Sequence, residues 1–248
     1  MPKVQKRRLD QLLVERGLVQ SRSRAQALIM AGSVYSGSKR LDKAGAQIPE
    51  NIMLELKGQD HPWVSRGGIK LEHALSHFQF NVRDTICLDV GASTGGFCDV
   101  LLSRGAAKVY AVDVGHGQLA WTIRNNARVV VIERFNARYI TKKEVPDKID
   151  FICCDTSFIG LRTVLPAPIK LAKAGAKLVA LIKPQFEVSK GQVGNKGVVR
   201  DSKLHDQVCN FISDWLIGLD GWEVIGIEKS PITGPEGNVE FLIAASYS

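Results

Sequence analysis

Residues 85–97, TICLDVGASTGGF, constrain the fold of this chain more than any other stretch. An apolar run, Ile86, Cys87, Leu88 and Val90, carries one acid, Asp89, and then breaks into Gly91-Ala92-Ser93-Thr94-Gly95-Gly96 before an apolar helical pattern resumes. The pattern predicts strand, tight glycine-rich turn and helix, as in a nucleotide-type binding turn. Glycines let the backbone turn sharply and approach a ligand, while the start of the helix offers unpaired N–H groups. Such turns also serve as ordinary connections, so the rest of the chain decides the meaning of this one.

After the turn, strand and helix alternate. Strands are predicted at Lys108–Asp113, Val129–Ile132, Ile149–Cys154, Ala176–Lys183, Trp222–Glu228 and Val239–Ser246, with helices between most of them, the clearest at Asp201–Leu219. This order implies an α/β fold, a doubly wound and mostly parallel sheet of Rossmann-like form covered on both faces. The last strand follows a turn at residues 231–238, which permits it to run antiparallel. Ahead of the sheet, Gly67-Gly68 precedes Ile69, Leu71, Ala74, Leu75 and Phe78, an amphipathic helix with Lys70 in its first turn.

In open α/β sheets, ligands bind outside the carboxyl ends of the strands. Asp89 and Gly91 end the first strand, Asp113 ends the second, Asp155 follows the fourth and Lys183 ends the fifth. Asp113 stands 22 residues after Gly91, where an acid can hold the hydroxyls of a bound ribose. An acid at a strand end is also a common helix N-cap, and Asp155 before Thr156-Ser157 suits that role. A helix leading into a parallel strand starts near the carboxyl edge, which brings Lys70 there. An antiparallel last strand brings Glu240 as well. Lys70 is unfavourable with respect to the helix dipole, as expected of a tolerated surface lysine or of one held for a site.

Net charge is +8, and it is uneven: residues 1–66 hold 12 Lys and Arg against 6 Asp and Glu, whereas residues 67–248 hold 21 against 19. A basic N-terminal quarter suits a polyanionic partner or serves as a solvated face. That quarter shows two short helices, with Leu9, Leu12 and Leu13 on the first and Ala25, Leu28 and Ile29 on the second, ending at Gly17 and Gly32. Short strands at Val34-Tyr35 and Ile52–Leu56 complete a small α+β module. Residues 61–66 read as a linker between a domain at 1–60 and one at 67–248.

The five cysteines form no C-x-x-C pair and lie mostly in apolar runs, so buried reduced thiols are expected. His73 and His77, at i and i+4, have a metal-ligand spacing, but no further ligand candidate lies near them in sequence and no metal is expected. No apolar run approaches the roughly 18–20 residues needed to span a bilayer. The expectation is a cytoplasmic protein without membrane partners.

RLDQLLVERGLVQSRSRAQALIMAGSVYSG resembles the RNA-binding module of the S-four ribosomal protein type. The resemblance implies an RNA-facing surface on the two helices, with Arg7, Arg8, Arg22 and Arg24 as the matching basic positions and Lys39 and Arg40 in the later turn. A DNA-binding helix-turn-helix also uses short paired helices, but the following strands argue against it. The second domain resembles the S-adenosylmethionine-dependent methyltransferases, specifically the FtsJ-like ribose 2′-O-methyltransferases. With the N-terminal module the chain is similar to the TlyA-type, haemolysin-like rRNA methyltransferase family: SRGGIKL, LDVGASTGGF, CDTSFI, LIKPQFE and GNVEFL stand in family order. The resemblance implies a Lys-Asp-Lys-Glu tetrad at Lys70, Asp155, Lys183 and Glu240. It also implies S-adenosylmethionine contacts at Asp89, Gly91, Ser93, Gly95, Asp113, Asn136 and Ala137, and ribosomal RNA or ribosomal subunits as partner, with cytidine as the family's target.

The chemistry requires these residue types. A ribose hydroxyl is a poor nucleophile at neutral pH, so a base must take its proton as the oxygen attacks a sulfonium methyl group, and Lys183 is the expected base. Three readings compete. A dinucleotide-dependent oxidoreductase shares the fold, but Gly91 is followed by Ala-Ser-Thr before Gly95 and G-x-G-x-x-G is absent. A non-catalytic RNA-binding protein would lack turnover. A membrane-lytic protein finds no spanning segment or long amphipathic face.

Overall fold

The computed structural model describes residues 5–19, 21–30, 32–56 and 61–248. The chain divides into two compact units, Met1–Pro62 and Trp63–Ser248.

In the first unit the elements are β1 (Lys6–Arg8), α1 (Leu9–Glu15), α2 (Arg22–Met30), β2 (Val34–Ser36), β3 (Lys39–Arg40), β4 (Gln47–Pro49) and β5 (Glu55–Leu56). Leu9, Leu12 and Leu13 of α1 pack on Ala25, Leu28 and Ile29 of α2, with Val34, Ile48 and Leu54 closing the core. Gly17 and Gly32 follow the two helices in the left-handed region, at φ +67° and +71°, and end them as their spacing predicts. β1 pairs antiparallel with β4, and β2 with both β3 and β5.

The strand expectations for this unit need correction. β1 reads Lys-Arg-Arg and has no apolar alternation, so a search for period two passes over it. The strand expected at 52–56 is confined to β5, and Lys39 and Arg40 form a strand rather than a turn.

The second unit contains α3 (Gly67–His77), β6 (Ile86–Val90), α4 (Gly96–Ser103), β7 (Lys108–Val112), α5 (Trp121–Arg124), β8 (Val129–Ile132), β9 (Ile149–Cys154), α6 (Leu161–Val164), β10 (Ala172–Ile182), α7 (Pro184–Glu187), α8 (Ser202–Ile217), β11 (Trp222–Lys229) and β12 (Phe241–Tyr247). Seven strands form one sheet in the order β11-β12-β10-β9-β6-β7-β8. Only β12 runs against the rest, antiparallel to β10 on one side and β11 on the other. This is the doubly wound, mostly parallel sheet with an antiparallel last strand that the alternating pattern implies.

Helices cover both faces. α3 and α4 pack Leu71, Leu75, Phe97 and Leu101 against Cys87, Phe151, Val179 and Leu242. On the opposite face α6 and α8 bring Leu161, Val164, Val208, Ile212 and Leu216 against Leu88, Ile152, Leu178 and Ile243. Interior strands buried on both faces account for runs such as ICLDV and FICC, which show no alternation. All five cysteines are buried and free, as expected.

Two boundaries move. β10 begins at Ala172 rather than Ala176, and its register shifts between Ala172 and Lys177. β12 begins at Phe241, so Glu240 precedes the strand instead of lying within it. Trp63 and Val64, read as linker, pack against the core of the second unit, and the Val64 amide donates to Asp99 at 2.8 Å. An aromatic anchor next to a proline looks like linker in sequence until the helix it covers is seen.

Candidate active site

The site is built by two glycine pairs. A Cβ at Gly68 would lie 2.3–2.6 Å from side-chain atoms of Trp63, and one at Gly96 would lie 2.3 Å from Ser65 Oγ and 2.8 Å from the Gly68 amide. Without side chains at these positions, the starts of α3 and α4 approach each other beneath Trp63. The first turn of α3 then carries Lys70 inward, to 7% exposure.

The glycine turn at the end of β6 lies alongside. Gly91 has φ +86°, and a Cβ there would come within 2.7 Å of the Asp155 carbonyl oxygen. The Asp155 amide donates to the Val90 carbonyl at 3.0 Å, so the ends of β6 and β9 meet directly. Gly95, at φ +95°, caps α4 in the left-handed region.

Four charged side chains converge here from α3, the ends of β9 and β10, and the residue before β12. Lys70 Nζ is 2.6 Å from a Glu240 oxygen and 3.5 Å from Asp155. Lys183 Nζ is 2.5 Å from the other Asp155 oxygen and donates to Ser157 Oγ at 3.1 Å. The register explains the meeting: Ile182 pairs with Phe241, so Lys183 and Glu240 come next on adjacent antiparallel strands. Lys70, Lys183 and Glu240 are 7%, 7% and 1% exposed. Burial of this kind requires pairing, and the two lysines and two acids form a chain Glu240–Lys70–Asp155–Lys183 of alternating sign. The dipole penalty expected for Lys70 is offset by two carboxylates.

These side chains line a cavity of about 330 Å³ together with Gly91, Ala92, Ser93 and Thr94 of the turn. Ser65, Arg66, Thr233 and Gly234 also line it, and none of them carries a local sequence signal for a site. Gly234 has a readable cause only in the structure: a Cβ there would fall 2.2 Å from Glu240 Oε1. Beside the cavity, Phe158 is 91% exposed at φ +65°, its ring 5.3 Å from that of Phe186.

The remaining expected cofactor residues are distributed differently. Asp113, at the end of β7, accepts from the Ser93 amide at 2.8 Å and the Gly115 amide at 2.7 Å, and so ties the glycine turn to the neighbouring strand end. Asn136 caps a short 3-10 turn by accepting from the Arg138 amide, and Ala137 is buried. Asp89 does not line the cavity. It is fully buried within β6, accepts from Cys98 Sγ at 3.0 Å, and burial pushes its carboxyl up to about 7. β6 is an interior strand covered on both faces, so Asp89 is enclosed together with Leu88 and Val90 although it stands two residues before Gly91 of the turn.

In the first unit, the basic positions divide. Arg8 and Arg22 bond to the fully buried Asp10 at 2.9 and 3.1 Å, with Gln26 as a third donor, and the Arg8 guanidinium holds this carboxyl well below the usual carboxylate range. Arg7 pairs with Glu15 and Glu50. Arg24 reaches the His61 carbonyl. Lys39 and Arg40 are exposed on β3.

The FtsJ-like methyltransferase model matches residues 63–247, and the S4 domain model matches residues 7–51. The chain belongs to the FtsJ-like methyltransferase family. This FtsJ-like methyltransferase is 47% identical over 237 residues to the 16S/23S rRNA (cytidine-2′-O)-methyltransferase TlyA of Mycobacterium tuberculosis, covering 95% of this chain and 88% of that protein. It is 42% identical to Hemolysin A of Brachyspira hyodysenteriae, over 95% of this chain and 98% of the other. A solved structure from Streptococcus thermophilus that carries a hemolysin name matches with a TM-score of 0.76 at 42% identity, covering 99% of this chain and 90% of that one. The N-terminal unit of this chain is an S4 domain, and its sheet has the fold of an S-adenosylmethionine-dependent methyltransferase structure from Listeria monocytogenes, at a TM-score of 0.53 and 16% identity, covering 74% of this chain and 100% of that one.

Proposed function

We propose that the chain transfers a methyl group from S-adenosylmethionine to a ribose 2′-hydroxyl of ribosomal RNA, with cytidine as the target nucleoside and Lys183 as the general base. The observation that carries this reading is the Glu240–Lys70–Asp155–Lys183 chain at the rim of a cavity floored by the glycine turn. The rRNA methyltransferase names of relatives at 47% identity support the substrate class.

The residues present fit the cofactor. A cavity of about 330 Å³ lies in the range of small-molecule sites; Gly91, Ala92, Ser93 and Thr94 of the glycine turn line it beside the buried charges, and Asp113 braces the turn through the Ser93 amide. Gly91, Ser93 and Gly95 hold the cofactor along the turn, Asp113 takes its ribose, and Asn136 and Ala137 lie beyond. Asp89 acts from beneath, as a support of the turn. When bound, S-adenosylmethionine supplies a methyl group on a positively charged sulfur.

Lys183 in its neutral form would take the proton of the 2′-hydroxyl onto Nζ, and the bound cofactor would supply the methyl group to that oxygen. Asp155 bridges Lys183 to Lys70, which Glu240 holds in place. Asp155 fixes Lys183 on one side while Ser157 fixes it on the other, and near-attack positioning of this sort contributes several kcal/mol. Phe158 offers an exposed ring on which an unstacked base of the substrate rests. The S4 unit supplies phosphate contacts, and the whole acts on ribosomal RNA in the cytoplasm.

The haemolysin names of some relatives carry a membrane-lytic reading. Among the described residues no helix is long and apolar enough to cross a membrane. Incubation with labelled S-adenosylmethionine and separated ribosomal subunits, followed by mapping of the labelled ribose, tests the proposal. Lys183→Ala is expected to bind the cofactor and lose roughly 10²–10⁴-fold in transfer. No label on either subunit, with RNA binding intact, leaves the binding-only reading.

A further inference from the structure

α3 carries His73 and His77 one turn apart, and β11 brings Glu228 against both. His73 Nε2 lies 3.8 Å from one Glu228 carboxylate oxygen, and His77 Nε2 lies 3.7 Å from the other. The two imidazoles stack, with centroids 5.8 Å apart. One ligand atom from each of the three residues falls within a 4.8 Å set, the one such grouping of metal-binding side chains among the described residues.

A second observation points the same way. His73 Nε2 is buried and has no hydrogen-bond partner, although it faces a carboxylate. At 3.7–3.8 Å the Glu228 oxygens are too far to accept a hydrogen bond from either ring. A packed carboxylate between two imidazole nitrogens, all short of direct bonding, leaves room for an ion. With bonds of about 2.0–2.1 Å, a tetrahedral zinc holds its ligand atoms about 3.4 Å apart, so the three atoms, now within 4.8 Å of one another, close on it with side-chain shifts of about an ångström. The three side chains are 34–45% exposed, which leaves an entry path and an open fourth position.

We propose that His73, His77 and Glu228 bind a divalent first-row transition metal of the zinc type, with water as fourth ligand. Two imidazoles and one carboxylate suit zinc, cobalt or nickel better than the oxygen-seeking magnesium or calcium. The sequence hid the site because the third ligand comes from a strand far along the chain. Its place gives it a use. α3 carries Lys70 three residues before His73, and β11 pairs with β12, which Glu240 precedes. A metal here clamps the helix bearing Lys70 to the hairpin bearing its partner Glu240, away from the methyl-transfer chemistry itself.

The test uses the full chain stripped with a chelator and titrated with Zn²⁺ by calorimetry, with Co²⁺ absorption as a report of ligand geometry. One equivalent is expected to bind, to raise the thermal midpoint, and to give a visible Co²⁺ band of a four- or five-coordinate site. The H73A/H77A double variant is expected to bind at least about tenfold more weakly and to lose both the Co²⁺ band and the thermal shift. Glu228→Gln, which keeps the side-chain size, decides the matter should the double variant fold poorly. Absence of stoichiometric binding, or equal binding by Glu228→Gln and the unaltered chain, overturns the proposal.

Discussion

The Lys70 ammonium stands 2.6 Å from a Glu240 carboxylate oxygen, joining the first turn of α3 to the residue that leads into β12. Neither group is tolerable alone, since both are nearly inaccessible to water. The pair therefore ties two elements together at the cavity that both residues line.

Glu240→Ala strands Lys70 with only the more distant Asp155. Breaking a buried pair by removing one partner costs about 3–5 kcal/mol, and a loss toward the lower end is expected because Asp155 remains. Urea unfolding of the variant should show a clearly lower midpoint, with Glu240→Gln intermediate. A midpoint for Glu240→Ala equal to that of the unaltered chain would show that the pair contributes nothing.

Gly91→Ala tests the turn itself. The position has φ +86°, where an L side chain is strained by about 1–3 kcal/mol, and the new Cβ would press on the Asp155 backbone. Displacement of Asp155 moves Lys183 with it, and a misplacement near 1 Å costs about 10²-fold in rate. Methyl transfer is expected to fall by about that factor, and the cofactor dissociation constant to rise. Transfer unchanged within twofold or so would show that the turn tolerates a side chain.

Much of this arrangement is legible in the sequence, for reasons that differ by residue. The order of strands follows from apolar runs separated by helical periods, and once β12 is allowed to run antiparallel, Lys70, Asp155, Lys183 and Glu240 fall on one edge. What escapes is set by tertiary contact. Asp89 sits next to the turn in sequence but inside the sheet, where Cys98 meets it. Gly234 gains its meaning only from the carboxylate it makes room for, and Arg8 and Arg22 are drawn to Asp10, a buried acid that no local pattern singles out. Glu228 joins two histidines only because β11 lies against α3.

Burial of Asp89 makes stability depend on pH. Its carboxyl is raised to about 7 in the folded chain and titrates near its ordinary value of 3.8 when unfolded. Between these values the folded state keeps a proton that the unfolded state has released, so this residue's contribution to stability falls as pH rises from about 4 to about 7 and then levels off. Asp89→Asn keeps an acceptor for Cys98 and removes the titration. Its stability relative to the unaltered chain is expected to improve across that window. Denaturation at a series of pH values checks it, and a difference that stays constant with pH would overturn the assignment.

The basic positions of the S4 unit should not behave alike. Lys39 and Arg40 are exposed on β3 and make no ion pair among the described residues, whereas Arg8 and Arg22 are committed to Asp10. A phosphate contact contributes about one unit to the slope of log affinity against log salt. Lys39→Ala and Arg40→Ala are therefore each expected to weaken RNA binding and reduce that slope by about one, with unfolding unaffected. Arg8→Ala is expected to act first on stability, because it removes the leading donor to a buried carboxylate, and to shift the unfolding curve of the full chain. Anisotropy titrations with an rRNA fragment at several salt concentrations, set beside urea curves, separate the two classes. Equal slopes for Lys39→Ala, Arg40→Ala and the unaltered chain would remove β3 from the RNA surface.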